Sequence, residues 1–196
     1  MNTSSPDQTT PPLRRRSLMK TAAWAAPTAV VFSAAPAFAA SPESQKGLQG
    51  WVTVGRSGCY SNEQTITIDG RGEYPNRGLW IMETAPGLSL KDAKVERASI
   101  TFYFPTTLGP LNWTNNSDKG WSNLVRNADG VPQINGYDSY TSTYSGSWTF
   151  NGDVLVADRQ PRFTVRTSCT RFTSYAYRSV TVDGDFVAFR RGPISL

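Results

Sequence analysis

The side chains of this chain that could do chemistry are few in kind. There is no histidine at all. Histidine is the general base whose ordinary pKa lies near neutrality and the commonest metal ligand. Its absence excludes Ser-His-Asp and Cys-His catalysis and any zinc or copper site with imidazole ligands. Cys59 and Cys169 are the only cysteines, too few for a four-thiolate zinc or iron–sulfur site. A cysteine nucleophile needs a basic partner to form its thiolate, so carboxylates are the groups left to run a reaction. Asp183 and Asp185 flank Gly184, and Asp69, Arg71 and Glu73 share an Asp-Gly-Arg-Gly-Glu run. Paired carboxylates can hold calcium or flank a glycosidic bond. The glycine inside Asp183-Gly184-Asp185 points first to a tight hairpin turn, and neither run is a specific catalytic motif. No catalytic residue, metal site or cofactor is therefore expected.

Aromatic side chains are the richer set. Trp51, Trp80, Trp113, Trp121 and Trp148 follow the first forty residues, with eight tyrosines. Most belong in a core, because large rings dominate buried area. Trp113 and Trp121 differ in lying within an irregular, Asn-rich stretch, residues 106–136, with Tyr137, Tyr140 and Tyr144 close behind. Flat rings beside Asn, Asp and Ser suit a glycan or a protein surface, and binding residues often sit on loops held by a rigid scaffold. Trp113, Trp121, Tyr137 and Tyr140 are the expected binding residues. The competing reading makes the same rings anchors that plug the end of the domain. Two tripeptides in this stretch, Asn112-Trp113-Thr114 and Asn115-Asn116-Ser117, match the glycosylation acceptor pattern. Arg159, Arg162, Arg166, Arg171 and Arg178 come nearest to a basic cluster. In a strand-rich region that spacing gives a solvated face, so no nucleic-acid partner is expected.

The elements that must position these residues read as strands. Residues 49–54 alternate, and in 62–69 Ile66 and Ile68 share one face opposite Thr65 and Thr67. Residues 77–84 follow. The best strand is 94–105, where Val95, Ala98, Ile100, Phe102 and Phe104 form an apolar series that Pro105 ends. Residues 91–97 are the one place a helix could start. A short strand is expected at 121–125 inside the irregular stretch. Asn151-Gly152 and Asp183-Gly184 each read as a hairpin turn between alternating runs. Phe163 and Val165 mark a further strand before the last hairpin. Eight to ten short strands with turn signals between them imply an antiparallel sandwich.

The N-terminus carries an address. Arg14-Arg15-Arg16-Ser17-Leu18-Met19-Lys20 is a basic region, residues 21–35 are weakly apolar, and Ala37-Phe38-Ala39 is a small-residue cleavage site. The apolar stretch is shorter than the roughly 20 residues a membrane span needs. The basic run resembles the twin-arginine (Tat) export signal, in which two arginines are followed by any residue, two apolar residues and lysine. Arg15 and Arg16 are the pair here. The family prefers Ser or Thr before them and Phe after, where this chain has Arg14 and Leu18. The resemblance implies export of a folded chain, with the Tat translocon and signal peptidase as transient partners and cleavage after Ala39. Residues 1–39 are then a signal with a disordered extension, and 40–196 form a single secreted domain. No membrane anchor is expected after processing, since no cysteine sits at the cleavage point and the C-terminus has no apolar stop-transfer run. Of the 20 basic and 15 acidic residues, four and one lie in the first 39, so the domain carries a small positive net charge, lower than the +5 of the whole chain.

Export places Cys59 and Cys169 in an oxidising compartment, where an even count reads as a disulfide. A closure of about 100 residues is worth roughly 4.7 kcal/mol in the loop-entropy model. A late-to-early disulfide with Trp80 between the cysteines resembles an immunoglobulin-like core in architecture, with a jelly roll as the alternative. No family motif can be matched in residues 40–196. The expected protein is an all-β, immunoglobulin-like antiparallel β-sandwich. It is secreted and extracellular, and binds a protein or polysaccharide partner at or near the cell envelope without catalysis. The alternative is a small secreted carboxylate-dependent hydrolase of glycosidase type.

Overall fold

Period-two alternation builds the domain. The computed structural model describes residues 47–82, 87 and 89–196. The expected export signal, with Arg15, Arg16 and the expected cleavage after Ala39, lies outside the described residues, as does the expected 39/40 boundary. In β3 (Glu63–Asp69) Gln64, Ile66 and Ile68 are buried while Thr65 and Thr67 are half-buried. In β12 (Thr173–Val182) buried and half-buried residues alternate over the whole strand. Residues 91–97 do not begin a helix; Val95 opens the long β5 (Val95–Pro105). The described elements are strands apart from one 3-10 turn at Thr106–Leu108.

One sheet has the order β13 (Asp185–Ser195), β12, β5, β8 (Tyr137–Tyr144) and β7 (Val125–Arg126). A second runs β1 (Gly47–Trp51), β4 (Gly78–Met82), β10 (Leu155–Ala157) and β9 (Trp148–Phe150). The third runs β2 (Thr53–Arg56), β3, β11 (Arg162–Ser168) and β6 (Thr114–Asn115). Every pairing is antiparallel. The two four-stranded sheets are halves of one bent layer, because β1–β4–β10 and β2–β3–β11 stand in the same order. Three chain segments thus cross both halves, and each breaks midway: at Val52, at 70–77 and at 158–161. The segment expected as one strand at 49–54 is therefore two strands in two sheets.

A buried glutamine stitches the break. Gln160 accepts from Leu79 N through Oε1 (2.7 Å) and donates through Nε2 to Ala157 O (2.9 Å). This layer and the five-stranded sheet share one core, in which Leu48, Ile66, Ile68, Leu79, Ile81, Ile100, Phe104 and Phe163 are fully buried. The fold is all-β and β-sandwich-like. Among the described residues no helix is long and apolar enough to cross a membrane.

The Cys59–Cys169 disulfide is formed, with Cα atoms 5.7 Å apart and 110 residues between them in sequence. It clips neighbouring strands of one sheet, since Glu63 of β3 faces Ser168 of β11. Trp80 sits in the other half of the layer, edge-on to Tyr74 at 5.1 Å. The disulfide thus bridges strand ends at a rim, and Trp80 packs apart from it.

Candidate anion-binding site

The inward face of β12 carries a charge where an apolar residue would be routine. Ser174, Ala176, Arg178, Val180 and Val182 share the buried parity. Arg178 faces Ile100 across the β5 pairing, with Ala176 opposite Phe102 and Val180 opposite Ala98. It is 3% exposed. Its Nη1 donates to Gly50 O (2.9 Å), and its Nε has no partner. Arg191 reaches the same place from β13. Its Nη1 donates to Gly50 O (3.3 Å) and its Nη2 to Gln49 Oε1 (2.6 Å). Gly50 is held at φ +115°, and a Cβ there would meet Gly78 O at 2.0 Å, so only glycine lets β1 come this close to β4.

Among the described residues no acid pairs with either charge. The ion pairs among the described residues join Asp69 to Arg71 and Arg162, and Asp138 to Arg126. Burial first, and the Arg191 charge second, push the Arg178 guanidinium down to about 9. Burial also lowers Arg191. Arg178 is still charged at neutral pH, and holding an unpaired charge in the interior costs several kcal/mol.

The break at Val52 opens a cleft beside this pair. Residues 50–54 form one wall and 191–194 the other, with Phe102, Ala176 and Arg178 between them. Its volume is about 440 Å³, within the range of small-molecule sites. Trp51, 60% exposed, stands among the lining residues. Thr53 Oγ1 is already engaged, donating to Asp69 O (3.0 Å) and accepting from Arg77 Nη2 (2.8 Å). A buried guanidinium at the wall of a cleft of this size, without an acid partner among the described residues, can hold an anionic group.

The residues expected to bind from sequence stand elsewhere, and most are anchors. Trp121 is buried, donates through Nε1 to Arg159 O (2.9 Å) and packs on Tyr144 at 4.9 Å. Tyr140 is buried, and its hydroxyl accepts from Leu111 N (2.8 Å). Trp113 is half-buried against Phe104 and Tyr140, with its Nε1 buried and unbonded. Tyr137 is half-buried, edge-on to Tyr175 at 5.4 Å. Trp121 and Tyr140 therefore cannot offer a ring to a ligand, and the expectation for them is corrected. The irregular stretch spends these rings on fixing itself to the sheets. Arg178 is likewise corrected from a solvated face to the interior, while Arg159, Arg166 and Arg171 are exposed. The signal that could have found the site is the parity of β12, which sets a lone arginine in line with Ala176, Val180 and Val182.

The carboxylates take structural parts. Asp138 is the only buried acidic residue among the described ones, and Arg126 pairs with both its oxygens at 3.0 and 2.9 Å. Asp183 lies in the turn between β12 and β13, where its Oδ1 accepts from Lys94 N (2.9 Å). Asp69 is held below the usual carboxylate range, chiefly by its hydrogen bond from Arg71. Among the described residues no three His, Cys, Asp or Glu side chains group as a metal site. No family model matches the chain, and no curated protein or solved structure matches it.

Proposed function

We propose that this protein is a secreted, non-catalytic binding domain that acts at or near the cell envelope. It holds a protein or polysaccharide partner, or a smaller ligand, by an anionic group placed in the Arg178–Arg191 cleft. One observation carries the reading: Arg178 is buried, charged, without an acid partner among the described residues, and lines a cleft large enough for a ligand. Its bond to the protein is to Gly50 O, which has a second donor in Arg191. A charge retained at that cost is explained by the charge it receives.

The test is thermal melting in sodium acetate, phosphate or sulfate at matched ionic strength, for the wild type and Arg178→Met. A ligand at 100 times its Kd stabilises the folded state by about 2.7 kcal/mol. At least one anion should raise the wild-type Tm and leave the variant unmoved. Anions that shift both proteins alike, or neither, would remove the reading.

The export half of the proposal rests on residues 14–20 and 37–39, and the Cys59–Cys169 disulfide agrees with an oxidising compartment. Replacing Arg15 and Arg16 together by lysine should keep the chain inside the cell. Secretion of that variant through the same host machinery would remove the Tat route. An N-terminal sequence of the secreted protein should begin at Ala40.

A further inference from the structure

We propose that the occupant of the cleft is an amphiphilic carboxylic acid: one carboxylate joined to an apolar body. This rests on the anion-binding reading above and names its ligand class. The charge is single and local. Arg178 spends Nη1 on Gly50 O, and its buried Nε has no hydrogen-bond partner. A carboxylate accepts two parallel N–H bonds from one guanidinium edge. Arg191 adds a second positive charge, but its two Nη atoms are engaged with Gly50 and Gln49. Phosphate or sulfate would bring more acceptor oxygens than the unbonded Nε–H of Arg178 can answer.

The rest of the lining decides the body of the ligand. Val52, Val54, Phe102, Ala176, Pro193 and Ile194 are apolar. The hydroxyl of Thr53 is the one neutral hydroxyl or amide side chain lining the cleft, and it is already bonded on both sides. A sugar acid would bury hydroxyls against these walls without partners, which opposes binding. An alkyl or aryl body gains instead from every apolar contact. The exposed indole of Trp51 extends the apolar wall toward solvent.

Calorimetric titration of the secreted chain with octanoate, octan-1-ol, glucuronate and inorganic phosphate separates these properties. Octanoate should saturate at one per chain. Octan-1-ol, which keeps the body and lacks the charge, should bind at least tenfold more weakly, and so should glucuronate, which keeps the charge and lacks the apolar body. Arg178→Met should weaken octanoate at least tenfold, with its melting curve recorded to show that it is folded. Were that variant unfolded, the octanoate to octan-1-ol ratio in the wild type decides alone. If glucuronate or phosphate binds through Arg178 and octanoate does not, the anion site stands and the amphiphile is wrong. If octan-1-ol matches octanoate, the carboxylate is wrong. If no anion binds, or octanoate binds folded Arg178→Met as tightly as the wild type, both readings fall.

Discussion

Arg178 sets the terms at the scale of single residues. A buried ion that does not serve the fold can be exchanged for an apolar group of similar volume at little cost, or with a gain of about 1–4 kcal/mol. Without ligand, Arg178→Met should therefore be at least as stable as the wild type in urea denaturation, because Arg191 still donates to Gly50 O. A loss above about 3 kcal/mol would mark Arg178 as a structural arginine. The tryptophans make the opposite contrast. Trp121→Ala should cost about 3–5 kcal/mol, as deletion of a large buried ring does, since its indole is buried and bonded to Arg159 O. Trp51→Ala, at an exposed position, should change stability by about 0.5 kcal/mol or less. At this scale the sequence was legible only in part. The Asn-rich composition around Trp113 and Trp121 revealed irregular backbone, but not that Tyr144 from later in the chain packs on Trp121, with Trp148 edge-on to Tyr144. The parity of Arg178 was readable, but not whether an acid faces it, since that depends on strands distant in the chain.

At the scale of elements, local turn chemistry was the most legible feature. Asp183 and Gly184, at φ 50° and 87°, make the two-residue turn that joins Val182 to Asp185, as an Asp-Gly pair between alternating runs requires. The long strand ending at Pro105 was also legible, because Ala98, Ile100, Phe102 and Phe104 recur at every second position. Its continuous burial over 100–104 was not, since it depends on the later segment where Pro132 O accepts from Tyr103. The split at Val52 was hidden as well, because it depends on β1 and β2 pairing with different strands. The end of β3 carries the clearest pH dependence. Asp69 has its folded pKa lowered by the Arg71 hydrogen bond, with further contributions from the Arg71 and Arg162 charges. A lowered carboxylate contributes stability above its unfolded pKa of about 3.8, and loses it as pH falls through the lower folded value. Arg71→Ala should be less stable than the wild type at pH 6, and the two denaturation midpoints should approach each other as the pH falls below 3.8. A constant gap across that range would assign the effect of Arg71 to packing.

At the scale of the whole molecule, the two devices are a clip and a cleft. The disulfide closes 110 residues at the rim of the β2–β3–β11 half-layer. Cys59→Ala with Cys169→Ala should lower the unfolding free energy by about 2–5 kcal/mol, while far-ultraviolet circular dichroism still reports strands. A helical spectrum in either protein would contradict the fold. The cleft needs the whole molecule, since β1, β2, β5, β12 and β13 all contribute to it. Its occupancy is read most directly at the Arg178 Nε–Hε resonance in a nitrogen–proton correlation spectrum at pH 7, during titration with acetate at constant ionic strength. This resonance should shift and saturate, while the corresponding signals of the ion-paired Arg71 and Arg126 stay in place. An Arg178 signal that does not move, or that drifts in step with those two, would contradict an anion site in this protein.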